Sequence, residues 1–189
     1  MCESMKSIVK TVLLFASAMI LTTTVKAQEV QPMLGQMAPP FTLNALDGRT
    51  YSLEKLQDKY VVIHFAATWC PFCNAEAPSL EQLYKDYHNK GVEVLIIDVK
   101  EDRELVEKSF NRFNFSFPVL LDIDGKVSAS YAPEGVQPAL ERHEVPIASN
   151  LIIDKDGKIR FYSLLNTTAF DAKLTALKQK LDELIENSK

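Results

Sequence analysis

The chain has 189 residues, 47% of them hydrophobic and 24% charged, with a formal net charge of −4. That length supports one globular domain with a sizeable core, and the mildly acidic balance gives no basic surface for nucleic acid or an anionic membrane. Three cysteines are too few for a disulfide framework of several bridges.

At the start, Lys6 and Lys10 flank an apolar run from Thr11 to Leu21, followed by Val25-Lys26-Ala27. A positive flank, a short apolar run and small residues at −3 and −1 describe a secretory signal peptide over 1–27, cut after Ala27. The run is shorter than the roughly 20 apolar residues of a spanning helix. An uncleaved leader acting as an anchor is the alternative, and the only membrane contact the sequence offers. Cys2 precedes the apolar run, so it is not placed as the lipid-bearing cysteine of a lipoprotein leader. The mature chain keeps Cys70 and Cys73 alone.

Residues 28–40 lack apolar periodicity and carry three prolines, which reads as a linker before a domain over 41–189. Phe41-Thr42-Leu43 and Thr50-Tyr51-Ser52-Leu53 alternate around Asp47-Gly48, as in a hairpin. Tyr60 to Phe65 is rich in β-branched and aromatic residues and reads as a buried strand. From Pro71 to about His88 a helix is expected, with Leu80, Leu83, Tyr84 and Tyr87 on one face and Gly91 as its stop. Val92–Val99 is a second buried strand, Arg103–Phe113 a helix and Phe117–Leu121 a third strand. A short helix follows at about 126–132. Residues 149–153 and 158–162 pair as a hairpin across Lys155-Asp156-Gly157. A last helix is expected over Ala169–Glu186, burying Leu174, Leu177 and Leu181. The element order describes a central mixed sheet flanked by helices, an α/β fold.

Thr68-Trp69-Cys70-Pro71-Phe72-Cys73 falls at the junction of the first buried strand and its helix. The exposed N–H groups and dipole of the helix start favour the thiolate of Cys70. A C-x-x-C beside a βαβ pattern reads as a redox dithiol. Two other readings stand beside it. A zinc site would need four ligands, whereas His64, His88 and His143 are scattered and no second C-x-x-C exists. A structural disulfide closing so short a loop stabilises little. No cofactor or metal is expected.

With Trp-Cys-x-x-Cys after a strand, Val145-Pro146 before an antiparallel hairpin, and a terminal helix, the chain resembles a thioredoxin fold. The hairpin at 41–53, Glu76 and Pro78 after the cysteines, and Leu151-Ile152-Ile153-Asp154-Lys155-Asp156-Gly157-Lys158-Ile159 are similar to the exported TlpA/ResA-type branch, related to the AhpC/TSA redoxins. The likeness runs over about 36–187 and includes an insertion before the cis-proline loop.

The resemblance implies a thiol–disulfide oxidoreductase in the periplasm or secreted. Cys70 would be the exposed nucleophile, Cys73 the resolving thiol and Glu76, one turn later, its proton acceptor. A solvated helix glutamate is the plain alternative for Glu76. Trp69 would cover the sulfurs, while Pro71 and Phe72 are the dipeptide between the cysteines, which by itself fixes no reduction potential. Pro146 would be a cis-proline facing the dithiol, exposing the Val145 backbone to substrate. His64 stands where relatives carry Asp or Asn, under the active-site helix, as a proton relay or a hydrogen-bonded core residue. Ile147 replaces the family's threonine after the proline, and Ala66 a tryptophan. The segment 132–144 either borders the site or is an inert insertion.

The implied substrates are exported protein disulfides, of the apocytochrome c or copper-site-assembly class, with a membrane thiol transporter as electron donor. Reduction is the expected direction, and oxidation or isomerisation at the same site the alternative. A thiol peroxidase would need T-x-x-C and a helping arginine that are missing around Cys70. A copper module would need a different cysteine spacing.

Overall fold

The computed structural model describes residues 33–132 and 147–188. The leader over 1–27, the first residues of the expected linker, and most of the 132–144 insertion with Val145 and Pro146 lie outside them. Five strands form one sheet: β3 (Tyr60–Ala66), β4 (Val92–Val99), β5 (Val119–Asp122), β6 (Ser149–Ile153) and β7 (Ile159–Ser163), in the spatial order β5-β4-β3-β6-β7. A separate antiparallel hairpin is made by β1 (Thr42–Asn44) and β2 (Thr50–Ser52). The fold is a thioredoxin fold with an added N-terminal hairpin.

Strands β3, β4 and β5 are parallel, while β6 pairs antiparallel with both β3 and β7. All seven residues of β3 are buried, as its continuous β-branched and aromatic run requires of a central strand. The chain steps from β3 to β4 to β5 in one direction. Right-handed crossovers therefore put both intervening helices, α1 (Pro71–Tyr87) and α2 (Arg103–Phe110), on the same face. That face also receives α4 (Thr175–Glu186), so that Leu80 and Leu83 of α1, Val106 of α2 and Leu177 and Leu181 of α4 share one core with Val62, Val94 and Ile152. The chain then passes through α3 (Lys126–Ser130) to the far side of β3. Phe65, Ile97, Leu151 and Tyr131 make a second core beneath the hairpin.

Two expectations need correction. The last helix begins at Thr175, six residues later than its periodicity suggests. Leu174 sits at its start with φ +56°, and the Asp171 carboxylate accepts from the Thr175 hydroxyl and the Ala176 N–H, both at 3.1 Å. Residues 33–40, expected to belong to a linker, are docked instead. Gly35 N–H donates to Ile159 O at 2.7 Å, Ile159 N–H to Gln36 O at 2.9 Å and Ala38 N–H to Gly157 O at 2.8 Å. The segment runs along the β6–β7 hairpin, and the folded unit begins before Phe41.

Candidate active site

Strand β3 ends at Ala66, and the chain turns through Ala67, Thr68 and Trp69 into α1. Cys70 is the residue that caps this helix. Its backbone is extended, Pro71 fills the first helical position where no N–H is needed, and Cys70 Sγ accepts the Cys73 N–H at 3.2 Å. Cys70 and Cys73 are joined as a disulfide. In the reduced state the same N–H and the positive end of the helix dipole favour a thiolate at Cys70.

The two sulfur-bearing residues are equally sheltered, Cys70 2% and Cys73 4% exposed, so Cys70 is not the exposed cysteine that the resemblance implied. In the disulfide, each sulfur covers part of the other, and both belong to the α1-side core with Ala148. Trp69 lies 43% exposed on the loop before them. Phe72 packs edge-to-face on Phe170, ring centroids 5.0 Å apart.

Beneath the helix lies a polar cluster in an otherwise apolar core. Glu76, three residues after Cys73 and on the same helix face, is buried. His64 on β3 and Asn150 on β6 are register partners across the antiparallel pair, so their side chains leave the sheet on the same face, towards α1. His64 Nδ1 stands 2.9 Å from Asn150 Oδ1 and 3.3 Å from Glu76 Oε2, and Asn150 Nδ2 donates to Glu76 Oε2 at 3.2 Å. Burial pushes the imidazole down to about 4, its bond to Asn150 opposing, and it is neutral at pH 7. The His64–Glu76 contact is accordingly a contact of a neutral ring, not an ion pair. Facing two oxygens, Nδ1 is assigned the ring proton, while Nε2 takes no partner among the described residues. Burial also raises Glu76 to about 7. The Asn150 bond opposes that rise, and the Asp171 charge adds to it. A carboxyl with this midpoint exchanges protons at neutral pH.

His64 and Glu76 were legible in sequence; Asn150 was not, although a polar residue at an inward position of a buried strand is a readable signal. Glu101 was also missed. It is buried just beyond β4, and its carboxylate accepts the Thr68 N–H at 2.5 Å and the Thr68 hydroxyl at 2.8 Å, pinning the loop that leads to Cys70. Val145 and Pro146 lie outside the described residues. The residue that leads into β6 within the cysteines' core is Ala148, with φ +55° and its N–H donating to Phe65 O at 2.7 Å. Among the described residues no group of three His, Cys, Asp or Glu side chains could hold a metal ion.

A model of the AhpC/TSA family matches residues 34–162. The thiol-disulfide oxidoreductase ResA of Geobacillus thermodenitrificans is 31% identical over 156 residues, covering 82% of this chain and 83% of that protein. A candidate protein disulfide isomerase from Bacteroides thetaiotaomicron superposes with a TM-score of 0.68 at 28% identity, over 81% of this chain and 90% of that one. A secreted Mycobacterium tuberculosis disulfide oxidoreductase does so with a TM-score of 0.60 at 28% identity, over 76% and 96%.

Proposed function

The chain belongs to the AhpC/TSA family and is a thiol–disulfide oxidoreductase, and from that premise we propose that it works outside the cytoplasm, reducing disulfides of exported proteins. The observation that carries the reading is the dithiol's setting: Cys70 caps α1, and a carboxyl that titrates near neutrality lies one turn beyond Cys73.

In the forward reaction the Cys70 thiolate attacks one substrate sulfur, forming a mixed disulfide and expelling the other as a thiolate that takes up a proton. Glu76 accepts the proton of Cys73, and the Cys73 thiolate then attacks Cys70 Sγ. The Cys70–Cys73 bond forms and the second substrate sulfur leaves. His64 and Asn150 hold Glu76 from the sheet side. Phe72, on Phe170, walls one flank of the dithiol, and Trp69 offers an exposed ring to a docking polypeptide. Val145 and Pro146, outside the described residues, enter this reading only as the expected substrate-pairing position, and the 132–144 segment as a candidate contributor to substrate choice.

Export rests on the leader-like residues 1–27 and on the secreted Mycobacterium tuberculosis relative. A membrane thiol transporter is the proposed electron donor, and exported apocytochrome c or copper-site assembly factors are the proposed substrate class. The Bacteroides thetaiotaomicron relative keeps isomerisation as the second reading.

The deciding experiment is the reduction potential of the Cys70–Cys73 pair, by equilibration in dithiothreitol or glutathione buffers. A value near or below about −270 mV is expected for a reductant, and one near about −120 mV would make the protein an oxidase. Cys73→Ser is expected to accumulate a mixed disulfide with substrate, visible as a dithiothreitol-sensitive adduct, whereas Cys70→Ser forms none.

A further inference from the structure

Reducing a disulfide with a dithiol moves two protons as well as two electrons. Cys70 has given up its proton before the attack and Cys73 gives up its own during it, the Cys70–Cys73 bond forms, and the two substrate sulfurs end as thiols. For Cys73, 4% exposed in the first turn of α1, this requires a route out. The inference rests on the reading of Glu76 as acceptor of that proton, and concerns where the proton goes next.

Glu76 Oε2 faces His64 and Asn150, while Oε1 takes no partner among the described residues. Glu76 lines a cavity of about 80 Å³ walled mainly by apolar side chains such as Phe161 and Leu165, with Asn150, Ser163, Asn166 and Asp171 as its other polar members. A water needs roughly 10–15 Å³ and two to four polar partners, so the volume admits several waters, held where Glu76, Asn150, Ser163, Asn166 and Asp171 supply the polar groups. Its outer wall is the strap between β7 and α4, tied to α1 along one stripe: Phe170 on Phe72, and the Ser79 hydroxyl donating to Ala172 O at 2.6 Å. Asp171 lies between those ties, half-buried, its carboxylate oriented by Thr175 and Ala176 at the start of α4.

We propose that Asp171 is a positioning and relay residue for the dithiol reaction, receiving through the cavity's waters the proton that Glu76 takes from Cys73 and delivering it to solvent. Glu76 is in contact with His64 from β3 and Asn150 from β6, shares the cavity with Asp171 from the strap, and follows Cys73 by three residues on its own helix. His64 and Asn150 form the closed, sheet-side end of the cluster; Asp171 is its acidic outlet. Its charge also raises Glu76, which strengthens that carboxylate as a base towards a thiol.

The test is single-turnover oxidation of the pre-reduced full-length chain by glutathione disulfide, followed between pH 5 and 9. Asp171→Asn keeps an acceptor for the α4 cap but carries no proton and no charge. It is expected to lower the high-pH plateau rate by roughly three- to tenfold and to move the lower midpoint down by roughly half a pH unit. Asp171→Glu is expected to restore both. A profile for Asp171→Asn that superimposes on the parent overturns the proposal. So does a slowed rate with an unmoved midpoint that Asp171→Glu does not rescue, which is the signature of the helix cap alone. Glu76→Gln separates the layers. If it flattens the profile while Asp171→Asn changes nothing, only the relay falls; if it changes nothing, the role of Glu76 falls with it.

Discussion

Glu76 and His64 sit in one buried cluster and respond to burial in opposite senses, which sets a sign on the pH dependence of folding. The folded-state midpoint of Glu76, about 7, lies above its ordinary 4.5. Its contribution is therefore present below pH 4.5 and lost as the pH rises through 7, where folding must bury an ionised carboxylate. At 1.36 kcal/mol per unit this is about 3 kcal/mol. His64, lowered to about 4 from 6.5, contributes fully above pH 6.5 and loses that contribution as the pH falls through 4. Glu76→Gln is neutral at every pH. In the oxidised protein it is expected to raise unfolding stability by about 2–3 kcal/mol at pH 8 and by almost nothing at pH 4.5, measured by urea titration. An equal gain at both pH values would mean that burial of charge is not what it relieves. That penalty at neutral pH is what the proposed proton-accepting role of Glu76 costs the fold.

At the scale of elements, the dithiol is positioned by contacts that no local pattern announces. The β3–turn–α1 junction was legible because a β-branched run, a helix-capping cysteine and Pro71 follow one another in the chain. The contact that fixes the turn spans 33 residues: Glu101, reached after Lys100 takes φ +58°, receives both Thr68 donors. Asn150 likewise meets His64 across 86 residues and Glu76 across 74, which only the strand register brings together. The late start of α4 has a similar origin. Leucine periodicity runs back through Leu174, and that side chain is indeed buried, but Asp171 caps the helix after it. Glu101→Gln leaves one Thr68 donor without a matched oxygen. It is expected to cost about 1–3 kcal/mol in urea unfolding. The same change should also speed alkylation of the reduced cysteines, because the loop before Cys70 loosens. A loss below about 0.5 kcal/mol, with alkylation unchanged, would show that the clamp does not hold the loop.

Across the whole molecule, the N-terminal approach is part of the sheet's defence. The edge of β7 would otherwise present unpaired backbone groups at Ile159, the pattern that invites pairing with another chain. Residues 35–38 cover it with the three backbone bonds to Gly157 and Ile159, and Met37 forms an isolated bridge with Lys158. Gly157 belongs to this fit: its φ is +80°, and a Cβ there would stand 3.1 Å from Met37 Cε. Just beyond, Pro39 O accepts the Tyr131 hydroxyl at 2.6 Å, and Tyr131 O accepts that of Tyr162 at 2.8 Å, tying the segment to the second core. Prolines and missing periodicity made it read as a linker, because a segment held mainly by backbone bonds, with Ala38 buried and Met33 partly so, leaves little side-chain pattern. Its contacts lie on the β6–β7 hairpin and the second core, away from Cys70, Cys73 and Glu76. Deleting 33–38 from the full chain is therefore expected to lower stability by about 2–4 kcal/mol, the sum of three backbone bonds and the buried Ala38. The thermal midpoint should fall by roughly 5–15 °C. The deletion should also promote self-association, seen by light scattering, while the reduction potential of the dithiol stays unchanged. A deletion that leaves the thermal midpoint in place would return the segment to the status of a linker; one that shifts the potential would show that the edge and the dithiol are coupled through the sheet.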